Sequence, residues 1–179
     1  MQILNTVKAR VGDKDRIIYF GLPDNQRELD ETFRLRFKIY AEKNYIDSSK
    51  FPNGLEEDEH DFNNQCSYFI AKIDEQIIGF VRIIKDNVLP TEKYFKFFEP
   101  EAIKNIPDYQ RCELGRLIVA PFTDKNGKYL PRHIVLLFLI KSLVDFGIKN
   151  NILGGYAFIK DKLKKKFKKL RIPIYLIYP

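Results

Sequence analysis

Tryptophan is absent from this chain, and cysteine and histidine occur only twice each among its 179 residues. Cys66 and Cys112 lie far apart and match no ligand spacing, so they read as free thiols of a reducing cytosol rather than a disulfide framework. No His, Cys or Asp spacing suggests a metal, and none is expected. Long apolar runs are also missing. The longest, Ile134 to Ile140, stops at Lys141, well short of the roughly 18 residues of a membrane span. Met1 to Arg16 is charged and has no apolar stretch, which excludes a secretory signal and points to a cytoplasmic protein. No G-x-S-x-G nucleophile motif occurs, and no strand leads into a glycine-rich phosphate loop. What is present is 45% hydrophobic residues, enough for one domain over residues 1–179 with its own core.

Charge is unevenly placed. Lys160 to Arg171 holds eight of the 31 basic residues and one of the 24 acidic ones, leaving 23 of each sign elsewhere. The net charge of +7 therefore belongs to twelve residues. At the other pole, Glu56-Glu57-Asp58-Glu59-His60-Asp61 packs five carboxylates into six positions.

Arg16 to Phe20 reads as a strand, and Asp24 as the cap of a helix from Asn25 to Lys43 with the stripe Leu29, Phe33, Phe37 and Tyr40. Arg36 falls on that stripe. Ser67–Ile73 and Gln76–Ile84 pair around Asp74-Glu75. Thr91 to Tyr109 is a helix broken at Pro100 and Pro107. Cys112 to Ala120 is a strand, Pro121 to Pro131 a polar loop, and Arg132 to Asn150 a helix buried on most sides. Ile152–Ile159 is a strand, Lys160–Leu170 a basic amphipathic helix, and Ile172–Tyr178 a last strand. The order implies an α+β fold leaning to α/β: a mixed central sheet with helices on both faces.

Arg82 shares a strand face with Ile78, Phe80 and Ile84, and an arginine so placed needs a carboxylate partner. Arg36 makes the same demand on its helix. Asp58, Asp61 and Glu113 are the candidates. They form either a structural ion network or a site for a cationic or zwitterionic substrate. Glu113 and Arg116, three residues apart on a regular strand, point to opposite faces; a bulge at Gly115 would bring them together. His60 and His133 read as structural. Tyr94, Phe95, Phe97 and Phe98 form either core or an apolar tunnel. The lysines Lys162, Lys164, Lys165, Lys166, Lys168 and Lys169 face outward, with Leu163, Phe167 and Leu170 inward. Such a face suits a membrane surface, a nucleic acid or an acidic carrier protein, or is simply solvated.

Arg36-x-x-x-Tyr40, Glu56-x-Asp58-x-x-Asp61, Gly79-x-x-Arg82 and Glu113-x-x-Arg116-Leu117, in that order, resemble the acyl-homoserine-lactone synthase branch of the GNAT acyltransferases. That branch also holds long-chain N-acyl amino acid synthases and exosortase-associated acyltransferases. The resemblance implies a GNAT fold in which strand Glu113–Ala120 splays from Ile152–Ile159. An acyl chain on a phosphopantetheine arm enters that cleft, and an amine attacks the thioester. It further implies acyl carrier protein as donor and partner, with no bound cofactor and no nucleic acid. The lysine helix suits an acidic carrier. Pro121–Pro131 lacks the Gln/Arg-x-x-Gly-x-Gly/Ala loop with which coenzyme A-using relatives cradle the pyrophosphate.

By the same resemblance Arg36, Tyr40, Asp58, Asp61, Arg82 and Arg116 form the charged cluster ordering the acceptor site. Glu113 is the general base, and backbone amides around Leu117, Ile118 and Val119 polarise the thioester carbonyl. Two departures bear on the acceptor. Ile46 stands where lactone synthases carry tryptophan, and Gly115-Arg116-Leu117 replaces their Ser-Arg-Phe. Both departures, with Leu89-Pro90, favour an amino acid over S-adenosylmethionine. The chain ends sooner than the family implies, so a final strand is expected to be missing or supplied by a partner. The alternatives are a lactone-signal synthase and a non-catalytic basic binding module.

Overall fold

The structure is a computed structural model and describes residues 1–63, 65–172, 174 and 177. Six strands form one sheet in sequential order: β1 (Gln2–Val11), β2 (Lys14–Leu22), β3 (Cys66–Ile73), β4 (Gln76–Ile84), β5 (Arg111–Val119) and β6 (Gly154–Ala157). Neighbours are antiparallel except β5 and β6, which run parallel. Asp74 and Glu75 take consecutive positive φ values of 46° and 64°, the backbone of a two-residue hairpin turn whose twist matches that of the strands.

The first strand departs from the sequence reading, which placed nothing before Arg16. β1 alternates Val7, Ala9 and Val11 with Lys8 and Arg10, and Ala9 and Val11 are buried. Small apolar residues interleaved with charges make a half-buried edge strand, a period-2 signal without any continuous apolar stretch.

Helix α1 (Gln26–Glu42) is capped by Asn25 rather than Asp24: the Asn25 side chain accepts from the Glu28 N–H at 2.9 Å. It covers one sheet face, where Ile70, Ile77, Phe80 and Ile118 pack with Leu35, Ile39 and Tyr40. Three short helices follow: α2 (Glu59–Phe62), α3 (Pro90–Tyr94) and α4 (Glu101–Lys104). The last two, with a 3-10 turn at Asp108–Gln110, replace the broken helix expected over Thr91–Tyr109; Pro100 is the N-cap of α4 and Pro107 that of the 3-10 turn.

Helix α5 (Arg132–Lys149) lies on the opposite face, with Val135, Leu139 and Leu143 against Phe20, Phe69, Ala71 and Ile83. Its burial is less complete than its apolar composition suggests, since Val144 and Ile148 are exposed. Ile78 belongs to this second cluster, not to the face of Arg82. An extra β4 residue between the pairs Lys72/Ile77 and Ala71/Gly79 turns it over.

β6 has four residues instead of the eight expected. It pairs with β5 only from Arg111/Gly154 to Leu114/Ala157. At Gly155 a Cβ would lie 1.9 Å from the Cys112 carbonyl oxygen, so only glycine permits that approach. Beyond Leu114 the ladder with β6 stops while β5 continues beside β4, leaving a one-sided gap toward the β6 edge of the sheet. Helix α6 (Asp161–Lys169) follows, with Phe167 buried. The strand expected over Ile172–Tyr178 falls largely outside the described residues. Among the described residues, no helix is long and apolar enough to cross a membrane.

Candidate active site

The site is built around a bulge in β5. Arg82 pairs with Gly115 and Phe80 with Ile118, so β5 carries one more residue than β4 between them. The residue with left-handed backbone is Arg116 (φ 58°), not Gly115 where the sequence reading put the bulge. The extra residue reverses the alternation of side chains. Arg116 therefore joins the face that carries Arg82, and Glu113, opposite Ile84, lies on that face too.

Three arginines and three carboxylates interlock there. Arg36 is fully buried, lies over the rings of Phe33 and Phe80, and binds Glu56 and Asp61, the latter at 3.0 Å. Arg82 grips Asp58 with both terminal nitrogens at 2.7 and 2.8 Å and reaches Asp61 at 2.9 Å. Arg116 Nη2 bridges Glu56 and Asp58, both at 2.9 Å, above the Tyr40 ring. Tyr68 donates its hydroxyl to Asp61 at 3.0 Å.

Asp58 and Asp61 can face these cations because they also cap α2: Asp58 accepts the His60 N–H, and Asp61 accepts the Asp58 N–H. Burial alone would push both carboxyls up. Hydrogen bonds and charge from Arg82 and Arg36 outweigh it and hold both below the usual carboxylate range. Glu57 goes the other way, pushed up by burial and by the Asp61 charge.

Two sequence expectations change. Glu113 is not a partner of these arginines; it is buried beside α3 and accepts the Thr91 N–H at 2.6 Å. The missing partner is Glu56, which is 1% exposed and binds both Arg36 and Arg116. Glu56 opens the Glu56-x-Asp58-x-x-Asp61 motif, but nothing in the acidic run itself marks it as a partner of the two arginines.

Past the bulge, Ile118 faces Phe80 across the β4 ladder, and Ala120 donates to the Ile78 carbonyl at 2.8 Å. Amide directions alternate along a strand, so the Val119 N–H points away from β4, toward the gap where β6 has ended. Leu117 completes the bulge.

The aromatic group is not core: Phe98 is 94% exposed and Tyr94 62%. Phe95 stacks on Phe158 just after β6, and Phe97 meets Tyr156 edge-on. This segment is anchored by Arg111, a buried residue that the sequence reading missed although it opens the β5 run. Arg111 binds Glu99, Glu92 and the Ile106 carbonyl, and Tyr156 donates to Glu99 at 2.7 Å. Burial pushes the Cys66 and Cys112 thiols up to about 11, so neither is a thiolate nucleophile at neutral pH.

On α6, Lys162, Lys165, Lys168 and Lys169 are exposed, and Lys164 and Lys166 are half-buried. Among the described residues no acidic side chain pairs with any of the six. Lys160, at the start of the helix, lies over the Tyr45 ring at 3.5 Å.

Known folds agree with this architecture. LasI, an acyl-homoserine-lactone synthase, superposes with a TM-score of 0.62 at 19% identity, over 86% of this chain and 77% of its own. BjaI, a coenzyme A-dependent acyl-homoserine-lactone synthase solved with S-adenosylmethionine and isopentyl-CoA, gives 0.57 at 17% identity, over 84% and 72%. A GNAT-family acetyltransferase from Staphylococcus aureus Mu50 gives 0.53 at 16% identity, over 86% and 82%. No curated protein matches the sequence closely.

A bulged strand, a parallel neighbour that stops short and helices on both faces make this a GNAT-fold acyltransferase. Within that class the chain belongs to the family of the N-acyl amino acid synthase FeeM, whose sequence model matches residues 31–149. Membership in an enzyme family sets aside the non-catalytic binding module.

Proposed function

We propose that this acyltransferase moves a medium or long fatty acyl chain from the phosphopantetheine of acyl carrier protein to the α-amine of an amino acid. The observation that carries the reading is Glu113. It is a buried carboxylate on the face of the arginine frame, on β5 three positions before Arg116 at the bulge and one before the ladder with β6 ends. An amine must lose a proton before it attacks a thioester, and a carboxylate at that place, directly or through one water, takes it. The nitrogen forms its bond to the acyl carbon, the C–S bond breaks, and the sulfur leaves as the thiol after gaining a proton. The Val119 amide, free of β4, suits the developing oxyanion.

Arg36, Arg82, Glu56 and Asp61 are too deeply buried to touch a substrate. They hold α1, α2, β4 and β5 in register around the site. Two features support a carrier-bound donor: the unpaired lysine face of α6, and a single glycine in Pro121–Pro131, where a coenzyme A pyrophosphate would need a loop of backbone amides. The second reading, a lactone synthase using S-adenosylmethionine, is favoured by the likeness to LasI and BjaI.

Mass spectrometry of a reaction containing the protein, fatty-acyl carrier protein, pooled amino acids and S-adenosylmethionine separates the readings. An N-acyl amino acid is the expected product. An acyl lactone would select the second reading, and an intact acyl carrier across several chain lengths would overturn both.

A further inference from the structure

Tyr94, Phe95 and Phe98 stand in solvent near the end of β6, 62%, 48% and 94% exposed, and Phe158 beside them is 75% exposed. Phe95 and Phe158 stack at 5.7 Å, so rings from two distant segments form one patch. Single apolar side chains are ordinary on a surface, but a contiguous aromatic patch marks a contact. The first segment is fastened from behind: Arg111 binds Glu92 and Glu99, and Phe97 meets Tyr156 edge-on.

Lysines are interleaved with these rings. Lys96 sits between Phe95 and Phe98, and Lys160 and Lys162 follow Phe158. All three are exposed, and none has an acidic partner among the described residues. The acids nearby are mostly occupied: Glu99 is bound by Arg111, and Glu101 lies 3.6 Å from Lys104. Asp161 is exposed, but it is followed directly by the remaining lysines of α6. The strip therefore shows solvent a mixture of aromatic rings and ammonium groups.

That mixture matches a bilayer surface, where aromatic side chains settle at headgroup level and lysines meet anionic lipid. An acidic protein answers the lysines but leaves the phenylalanine rings in water. A second copy of this chain answers the rings but sets lysine against lysine across a two-fold interface. A single-stranded nucleic acid needs open ring faces for its bases, and Phe95 and Phe158 are turned on each other at 10°. We propose that residues 94–98 and 158–162 dock this enzyme on a bilayer bearing anionic headgroups, with Phe95, Phe98 and Phe158 set among those headgroups. Lys165, Lys168 and Lys169, farther along α6, lie outside the strip. The acyl amide of the proposed reaction is an amphiphile, which suits release at a lipid surface. Vesicle binding needs no substrate, so the docking surface and the acyl-transfer reading fail separately.

The lack of tryptophan supplies the probe. Phe98→Trp replaces a side chain almost wholly in solvent, so the variant keeps the fold and carries a single reporter at the patch. With vesicles of phosphatidylcholine and about 30% phosphatidylglycerol, its emission is expected to move to shorter wavelength and to be quenched by brominated acyl chains. Affinity should exceed that for pure phosphatidylcholine by about tenfold or more and should fall with salt. In the wild-type background, Phe98→Ser combined with Phe158→Ser should weaken co-sedimentation with the anionic vesicles by about tenfold or more, with the melting temperature nearly unchanged. Emission that vesicles leave unmoved would overturn the proposal. So would a shift that grows with protein concentration without lipid, a shift produced by a thymidine oligomer and not by vesicles, or vesicle binding that the two serine substitutions leave intact.

Discussion

Glu113 is held by one hydrogen bond at one oxygen. Oε2 takes the Thr91 N–H, and Oε1 has no partner among the described residues. That asymmetry fits a group fixed in direction but free to accept a proton, and it makes a clean substitution possible. In Glu113→Gln the amide oxygen can still accept from Thr91 while the basic oxygen is gone. The turnover number is expected to fall by about 10²- to 10⁴-fold, with acceptor KM little changed and the melting temperature nearly that of the wild type. Steady-state product formation and thermal unfolding on the same preparation check this. Activity that falls only as far as the folded fraction falls would make Glu113 a structural residue.

Elements written into local pattern were legible before the structure. The hairpin at Asp74-Glu75, the strand leading to Ala120 and the helix after Pro131 each carry their own period or turn signal. Features set by pairing between distant segments were not. The bulge falls at Arg116 because β4 and β5, joined through residues 85–110, meet in a particular register. β6 is short because it follows β5 for four residues only, and Ile78 changes face through an irregularity in the β3–β4 ladder. Of the site, the arginines and Asp58 and Asp61 were readable; Glu56 stood in the Glu56-x-Asp58-x-x-Asp61 motif without a sign that it pairs with the arginines, and Glu113 was given the wrong partners.

Helix α6 is the element on which the proposed docking of acyl carrier protein rests. Lys165, Lys168 and Lys169 lie at i, i+3 and i+4 on its exposed side. Replacing the three with glutamate should raise KM for acyl carrier protein by about tenfold or more and flatten its dependence on salt. A small acyl-pantetheine thioester, which lacks the acidic protein surface, should react with the variant as with the wild type. An equal loss with both donors would remove α6 from carrier docking.

Across the whole molecule the two charged poles are treated in opposite ways. The basic pole keeps most of its lysines in solvent on α6, while Glu56, Asp58 and Asp61 of the acidic pole are folded inward against Arg36, Arg82 and Arg116. Acidic-pole charges are therefore coupled to folding. Asp58 and Asp61 have folded-state values below the ordinary 3.8, because the arginines favour their charged forms despite burial. In the unfolded chain both protonate near the ordinary value, so below it the unfolded state binds more protons than the folded one. The stabilisation is complete above about pH 5 and is lost as pH falls through 3.8 toward the folded values. Urea midpoints measured from pH 7 to pH 3 should be level down to about pH 5 and fall steeply below pH 4. Asp58→Asn should begin less stable at pH 7, since it leaves Arg82 and Arg116 short of a counter-charge, and should lose less on acidification. A wild-type midpoint unchanged down to pH 3 would mean that the frame contributes nothing to folding through its charged carboxylates, and that the acidic run is held inward by packing alone.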